Sequence, residues 1–158
     1  MRLSARSSLA DVAVSVGDAL WRAGIRAVLT GGACANLYSG GAYPSLDADF
    51  VLIGPCTTED LDAALATLGF KRRRDRYVHP LVPFFIEFPR GPLGIGEDFR
   101  IRPVWMNRRA ARTLALSATD ACRDRLAAFY HWNDRQALAA AVEIALRNRL
   151  ALGKVRNW

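Results

Sequence analysis

"TGGACANLYSGGAYPSLDADF", Thr30 to Phe50, decides how this chain is read. Two adjacent glycines, Gly31 and Gly32, close the apolar run "IRAVL"; fourteen residues later Asp47 and Asp49 open the next one. Glycine has no Cβ, so backbone N–H groups beside it can approach an anion closely. A helix starting there adds its positive end. In "LDADFVLIG" the alternation sets Asp47, Asp49, Val51 and Ile53 on one face of a strand, and Leu46, Ala48, Phe50 and Leu52 on the other. Carboxylates two apart on a strand lie roughly 6.5–7 Å apart. They can converge on a divalent cation, and without one they raise each other's pKa.

A third acid stands in "VPFFIEF", where Phe85 and Glu87 share one face and Phe84, Ile86 and Phe88 the other. An unpaired charge among such neighbours is costly. If this strand lies beside the aspartate strand, Glu87 joins Asp47 and Asp49. Magnesium favours a few carboxylates together with phosphate oxygens. Acids in this arrangement suit two metal ions about 3.5–4 Å apart, one activating a hydroxyl and one holding leaving phosphates. Each part also has a plainer reading. The glycine pair reads as a turn, the aspartates as a solvated edge or an Asx-turn, and Glu87 as a partner for Arg90 or Arg100. The joint spacing is more specific than any part.

Outward from this stretch, Leu9 to Ala23 has apolar residues at helical spacing with Gly24 as its stop. "IRAVLT" reads as a buried strand, "ACANLYS" as a brief helix and "AYPS" as a loop. Thr57 or Thr58 caps a helix that has Glu59 and Asp60 in its first turn and ends at Gly69. "FKRRRDRYVH" suggests two short strands around Asp75, "PRGPLGIGED" a loop and "FRIRPVW" a further strand. From Ser117 the pattern is helical, with Ala121, Cys122, Arg125, Leu126, Phe129 and Tyr130 in phase; a second helix runs from about Asp134 to Leu150. The expected class is α/β (α+β), a small mixed sheet with flanking helices. Residues 1–115 form its core, and residues 116–158 a helical segment packed on it.

Composition bounds the function classes. No apolar run approaches the ~20 residues that span a bilayer. Asp11 and Asp18 interrupt the N-terminal stretch before a secretory core can form, which reads as a cytoplasmic protein with no membrane partner. Cys34, Cys56 and Cys122 form no CxxC and only two histidines are present, which argues against structural zinc or a disulfide framework and for buried thiols. The net charge is +7, and all but two of the 22 basic residues are arginine. That tilt, with abundant alanine, fits either a GC-rich genome or contact with phosphates.

"LTGGACANLYSGGAYPSLDADFVL" resembles the signature of the nucleotidyltransferase superfamily that includes DNA polymerase β. It is most similar to minimal bacterial nucleotidyltransferases and AbiE-type toxins. Those families show an apolar strand, Gly-Gly or Gly-Ser, a short helix, Asp-x-Asp, and a third carboxylate on a following strand. Gly31, Gly32, Asp47, Asp49 and Glu87 match these positions. Ser45 matches the small hydroxyl residue two before the first aspartate. "LSATDACRDRLAAFYHWNDRQAL" resembles the relatives' basic residue within a helix followed by an acid opening the next, with Arg125 and Asp134 as the matches. The likeness spans about Val28 to Ala145. Toxin-like members commonly place an arginine shortly before Asp-x-Asp; here Tyr43 stands in that region. Arg125, Arg123 or an arginine of "KRRRDR" could supply the charge instead.

The resemblance implies an enzyme moving a nucleoside monophosphate from an NTP to a hydroxyl acceptor on RNA, protein or a small molecule. Asp47, Asp49 and Glu87 would hold two Mg2+ ions, with Mn2+ as a substitute. Gly31, Gly32, Ser45 and Arg125 would bind nucleotide phosphates, and a cognate antitoxin is an implied partner. The alternative is a catalytically silent member that binds nucleotide, nucleic acid or a protein.

Three further features stay open on sequence alone. Asp124 either pairs with an arginine elsewhere or lines the cleft. In His131-Trp132-Asn133-Asp134, Trp132 is expected to pack and Asn133 or Asp134 to cap a helix; alternatively His131 and Asp134 border the cleft. "KRRRDRYVH" is either a solvated hairpin or an RNA-backbone surface with Tyr77 and His79 interleaved for stacking.

Overall fold

A computed structural model describes residues 3–157. Helix α1 (Leu9–Arg22) starts where Ser8 and Asp11 form a reciprocal capping box, each satisfying the other's backbone N–H. Strand β1 (Ala27–Thr30) is buried throughout and leads directly into α2 (Gly31–Tyr38). Strand β2 (Asp47–Leu52) and helix α3 (Thr58–Ala66) follow, the latter capped by Thr57 and Asp60 in the same reciprocal manner. The short strands β3 (Lys71–Arg73), β4 (Arg76–Val78) and β5 (Phe85–Glu87) come next, then β6 (Val104–Arg108) and β7 (Ala111–Ala115). Helices α4 (Ala118–Trp132), α5 (Arg135–Arg147) and α6 (Leu152–Arg156) complete the order.

The strands form one seven-stranded mixed sheet in the order β3-β4-β5-β2-β1-β7-β6, the expected α/β class. Two of its pairings position the acids. β1 and β2 run antiparallel with Thr30 opposite Asp49, and β2 and β5 run parallel with Asp49 opposite Glu87. Side chains alternate across a sheet, so this register separates two faces. Leu29, Ala48, Phe50, Ile86 and Tyr77 are buried on one. Asp62 of α3 accepts hydrogen bonds from the Tyr77 hydroxyl (2.7 Å) and the Arg72 guanidinium (3.0 Å), which shows that α3 covers that face. Thr30, Asp47, Asp49 and Glu87 are left on the other.

Helices α4 and α5 pack on each other and on α2. Ser117 caps α4, and Asn133, in the left-handed region at φ 55°, lets the chain reverse. Asp134 then caps α5 by accepting from the Gln136 and Ala137 N–H groups. The Tyr38 hydroxyl donates to the Leu116 carbonyl (2.8 Å) and the Asn148 amide to the Tyr38 carbonyl (2.8 Å), fastening both ends of the helical segment to α2. Phe50, Leu116, Ala121, Ala140 and Ile144 belong to one continuous hydrophobic cluster. Residues from Leu116 onward therefore share the core of the preceding segment.

Several expectations need correction. The strand expected over "FRIRPVW" begins only at Val104 and runs to Arg108. The strand after it, β7, has no counterpart among the elements expected from the sequence. "ARTLA" has little strand character, and its place is set by parallel pairing with β1 and the burial this brings. The helix expected to reach Leu150 ends at Arg147, because the Asn148 side chain bonds the Ile144 carbonyl and terminates it. Trp132 does not pack; it is 82% exposed. Cys34 and Cys122 are buried as expected, but Cys56 is only half-buried.

Candidate metal and phosphate site

The β2–β5 register fulfils the condition on which the acid cluster depends. Asp49 lies directly opposite Glu87, and Asp47 is one alternation away on the same face. Each of the three offers a carboxylate oxygen, and these oxygens all lie within 4.8 Å of one another. All three side chains are half-buried, reachable from solvent but only partly hydrated. Such a hard, oxygen-only, anionic donor set favours hard cations such as magnesium or manganese over zinc or copper.

The electrostatics agree. The Asp49 carboxyl is pushed up to about 7, first by burial and then by the Asp47 and Glu87 charges; Arg125 pulls it down, and Asp124 pushes it further up. A buried carboxylate facing like charges is stabilised when a cation joins it. Glu87 forms no ion pair with Arg90 or Arg100 among the described residues; Arg100 instead bonds Asp98.

The glycine pair meets the acids at close range. Gly31 has φ +64°, and a Cβ there would fall 2.5 Å from Asp49 Oδ2. Gly31 therefore needs both its left-handed backbone and its missing side chain. A Cβ on Gly32 would fall 2.7 Å from Ser45 Oγ and 3.2 Å from the Tyr43 ring. Ser45 in turn donates to Asp47 Oδ1 (2.6 Å), which fixes that carboxylate's orientation. Thr30 stands at the N-cap of α2 without a capping side-chain bond, its hydroxyl donating to the Asp49 carbonyl instead, so α2 starts beside Asp49 without the usual N-cap side chain on its first N–H groups.

The two candidate arginines of α4 have different surroundings. Arg123 is 6% exposed and engaged with Asp98 (2.8 Å) and Asp120 (2.9 Å), so it is a structural cation. Arg125, two residues on, projects differently. It lies near enough to Asp49 to act on its charge, with Asp124 (2.8 Å) and the Tyr43 side chain as partners. Tyr43, standing where the toxin-like pattern has arginine, lies close enough to Arg125 of α4 to interact with its charge. Asp124 pairs with its sequence neighbour Arg125 rather than with an arginine from elsewhere in the chain, and its charge acts on Asp49.

His131 and Asp134 are not among the residues whose ligand atoms gather with the acids. His131 is exposed in the last turn of α4 and the Asp134 carboxylate is occupied as the α5 cap. Of the two readings of "KRRRDRYVH", the one with Tyr77 and His79 interleaved for stacking is not supported. Tyr77 is 3% exposed on the α3 face, and His79 leans on Phe70. Sequence reasoning misses Asn36, whose amide donates to the Tyr43 carbonyl and anchors the loop before the aspartates. A polar residue inside a short apolar helix is the available signal.

In comparisons with known proteins, no family model, no curated protein and no solved structure matches the chain. No helix among the described residues is long and apolar enough to cross a membrane.

Proposed function

We propose that this chain is a metal-dependent nucleotidyltransferase that moves a nucleoside monophosphate from an NTP to a hydroxyl acceptor. The observation that supports this best is the meeting of Asp47, Asp49 and Glu87, within 4.8 Å of one another, beside the Gly31–Gly32 turn. Acids alone would suit many cations. Acids next to a glycine-opened helix start suit a cation that arrives with phosphate. Bound there, Mg2+ (or Mn2+ in its place) would neutralise charge on the phosphates and make the acceptor hydroxyl more acidic.

The residues of the chain divide the work. Asp47 and Asp49 hold the cations, with Ser45 fixing Asp47. Glu87 completes the acidic set and takes the hydroxyl proton. The backbone of Gly31 and Gly32, with the start of α2, receives the phosphates of the outgoing pyrophosphate, and Arg125 offsets their charge. The acceptor oxygen bonds to the α-phosphorus as the bond from that phosphorus to the pyrophosphate oxygen breaks.

Incubation of the protein with α-phosphate-labelled NTPs, magnesium and total cell extract tests the reading. Label should pass to a macromolecule or metabolite with wild-type protein and should fail to pass with Asp49→Asn. Transfer by Asp49→Asn at the wild-type rate would dismiss the assignment.

A further inference from the structure

The run "KRRRDR" divides by strand alternation into two sets with different fates. Arg72 points to the α3 face and is held by Asp62. Arg73 pairs across the hairpin with Arg76, Arg76 pairs with Glu87, and Glu87 pairs with Asp49. One transverse row of the sheet therefore reads Arg73, Arg76, Glu87, Asp49, Thr30. Lys71, two residues before Arg73, shares their face. Lys71, Arg73 and Arg76 are exposed, and none forms an ion pair with a carboxylate among the described residues. The Arg76 guanidinium lies 4.6 Å over the ring of Phe85, which is itself paired with Asp47. A flat cationic surface thus continues directly from the acid cluster.

We propose that this hairpin face is the acceptor subsite and that the acceptor is a single-stranded nucleic acid end. Lys71, Arg73 and Arg76 would hold its phosphates, and the Arg76–Phe85 platform would support a terminal base. The inference rests on the transferase reading. In an in-line displacement the incoming oxygen and the outgoing pyrophosphate lie on opposite sides of the phosphorus. The glycine turn flanks Asp49 on the β1 side; Glu87 and the hairpin flank it on the β5–β4 side. The phosphates of the donor go to the former, which leaves the latter to the acceptor. A small neutral acceptor would need no row of cations. Lys71 and Arg73 are two apart on β3 and Arg73 faces Arg76 across the hairpin, so the three cations form a contiguous group suited to a chain of neighbouring phosphates rather than to a single one.

Fluorescence anisotropy of a short labelled single-stranded RNA, with full-length protein in EDTA across a KCl series, tests the hairpin. The double variant Arg73→Ala/Arg76→Ala should weaken binding at least about tenfold and flatten the log–log salt slope by about 1.4, two charges at about 0.7 each. Arg76→Lys should keep the slope, and Arg72→Ala, on the other face, should bind as wild type. Unchanged affinity in the double variant overturns the proposal. So does equal loss in Arg72→Ala, or equally good displacement of the RNA by polyglutamate, which would indicate an acidic protein instead. Calorimetry with MgATP and the other NTPs on the same preparations separates the two levels. Hairpin-dependent RNA binding without magnesium-dependent nucleotide binding strikes the transferase reading and leaves the RNA surface standing. The reverse pattern strikes the hairpin's role alone.

Discussion

Two acidic clusters in this molecule have opposite fates. Asp98 and Asp120 share Arg123, which is 6% exposed and reaches both at under 3 Å. Its hydrogen bond is the main reason the Asp98 carboxyl is held down at about 2. Asp47, Asp49 and Glu87 lie within 4.8 Å of one another and none has an ion pair among the described residues; Arg125, the guanidinium that acts on Asp49, is engaged by Asp124, and Asp49 is pushed up to about 7. With twenty arginines in the sequence, cations are not scarce. The folded chain neutralises one acid cluster internally and leaves the other to repel itself, an imbalance that the proposed cation would relieve.

The widest separation between the clusters should appear on removing one charge from each. Asp49→Asn should lower magnesium-dependent transfer by at least about 10²–10³-fold, the scale of losing one preorganised electrostatic element. The same substitution should raise the metal-free melting temperature above pH 7, since it removes a repelled carboxylate. Arg123→Met should do the reverse. It leaves Asp98 and Asp120 without their cation, and breaking a buried pair in this way costs about 3 kcal/mol in urea unfolding. A metal-free Asp49→Asn less stable than wild type would show that Asp49 is satisfied within the fold, and the contrast would fail.

Proton competition gives a finer measure. The folded Asp49 carboxyl titrates near 7, against an ordinary value of 3.8. Between those values the folded protein keeps a proton that the unfolded chain has released. Metal-free stability is therefore greatest at the acid end of that window, falls as pH rises through it, and levels off above about 7. Magnesium must displace that proton, so its dissociation constant should rise about tenfold for each pH unit below about 7. Differential scanning calorimetry with and without magnesium should show a shift that is small at acid pH and grows toward alkaline pH. A magnesium shift independent of pH would mean the cation binds elsewhere.

The acid cluster is legible in the sequence because it depends on two alternations that sequence displays. Asp47 and Asp49 sit in phase at the head of an apolar run, and Glu87 sits in phase within another. What sequence lacks is which strands become neighbours. β7 is invisible there because "ARTLA" owes its strand state to β1 alongside it. Arg123 and Arg125 are equivalent on paper, being two apart in one helix. Only the placement of α4 against α2 sends one into the Asp98–Asp120 pair and the other toward Tyr43. The hairpin charges are visible as a run, but their sorting into Arg72 on one face and Lys71, Arg73 and Arg76 on the other requires the β3–β4–β5 register. Tyr77 misleads for the same reason: its ring falls on the buried side of that alternation.

The smallest expected effect isolates contact from strain at the glycine turn. Gly31 and Gly41 both have positive φ, +64° and +87°. A side chain at either position meets the left-handed penalty, about 1–2 kcal/mol for an L-residue. Their surroundings differ: a Cβ on Gly41 would have nothing within 4 Å, whereas one on Gly31 would fall 2.5 Å from Asp49 Oδ2. Gly31→Ala should therefore lose at least as much stability as Gly41→Ala, read by urea unfolding. Only Gly31→Ala should also weaken magnesium, because it must turn the Asp49 carboxylate away from Asp47 and Glu87. Equal magnesium affinity in the two variants would mean that the glycine turn and the acids are neighbours without being parts of one site.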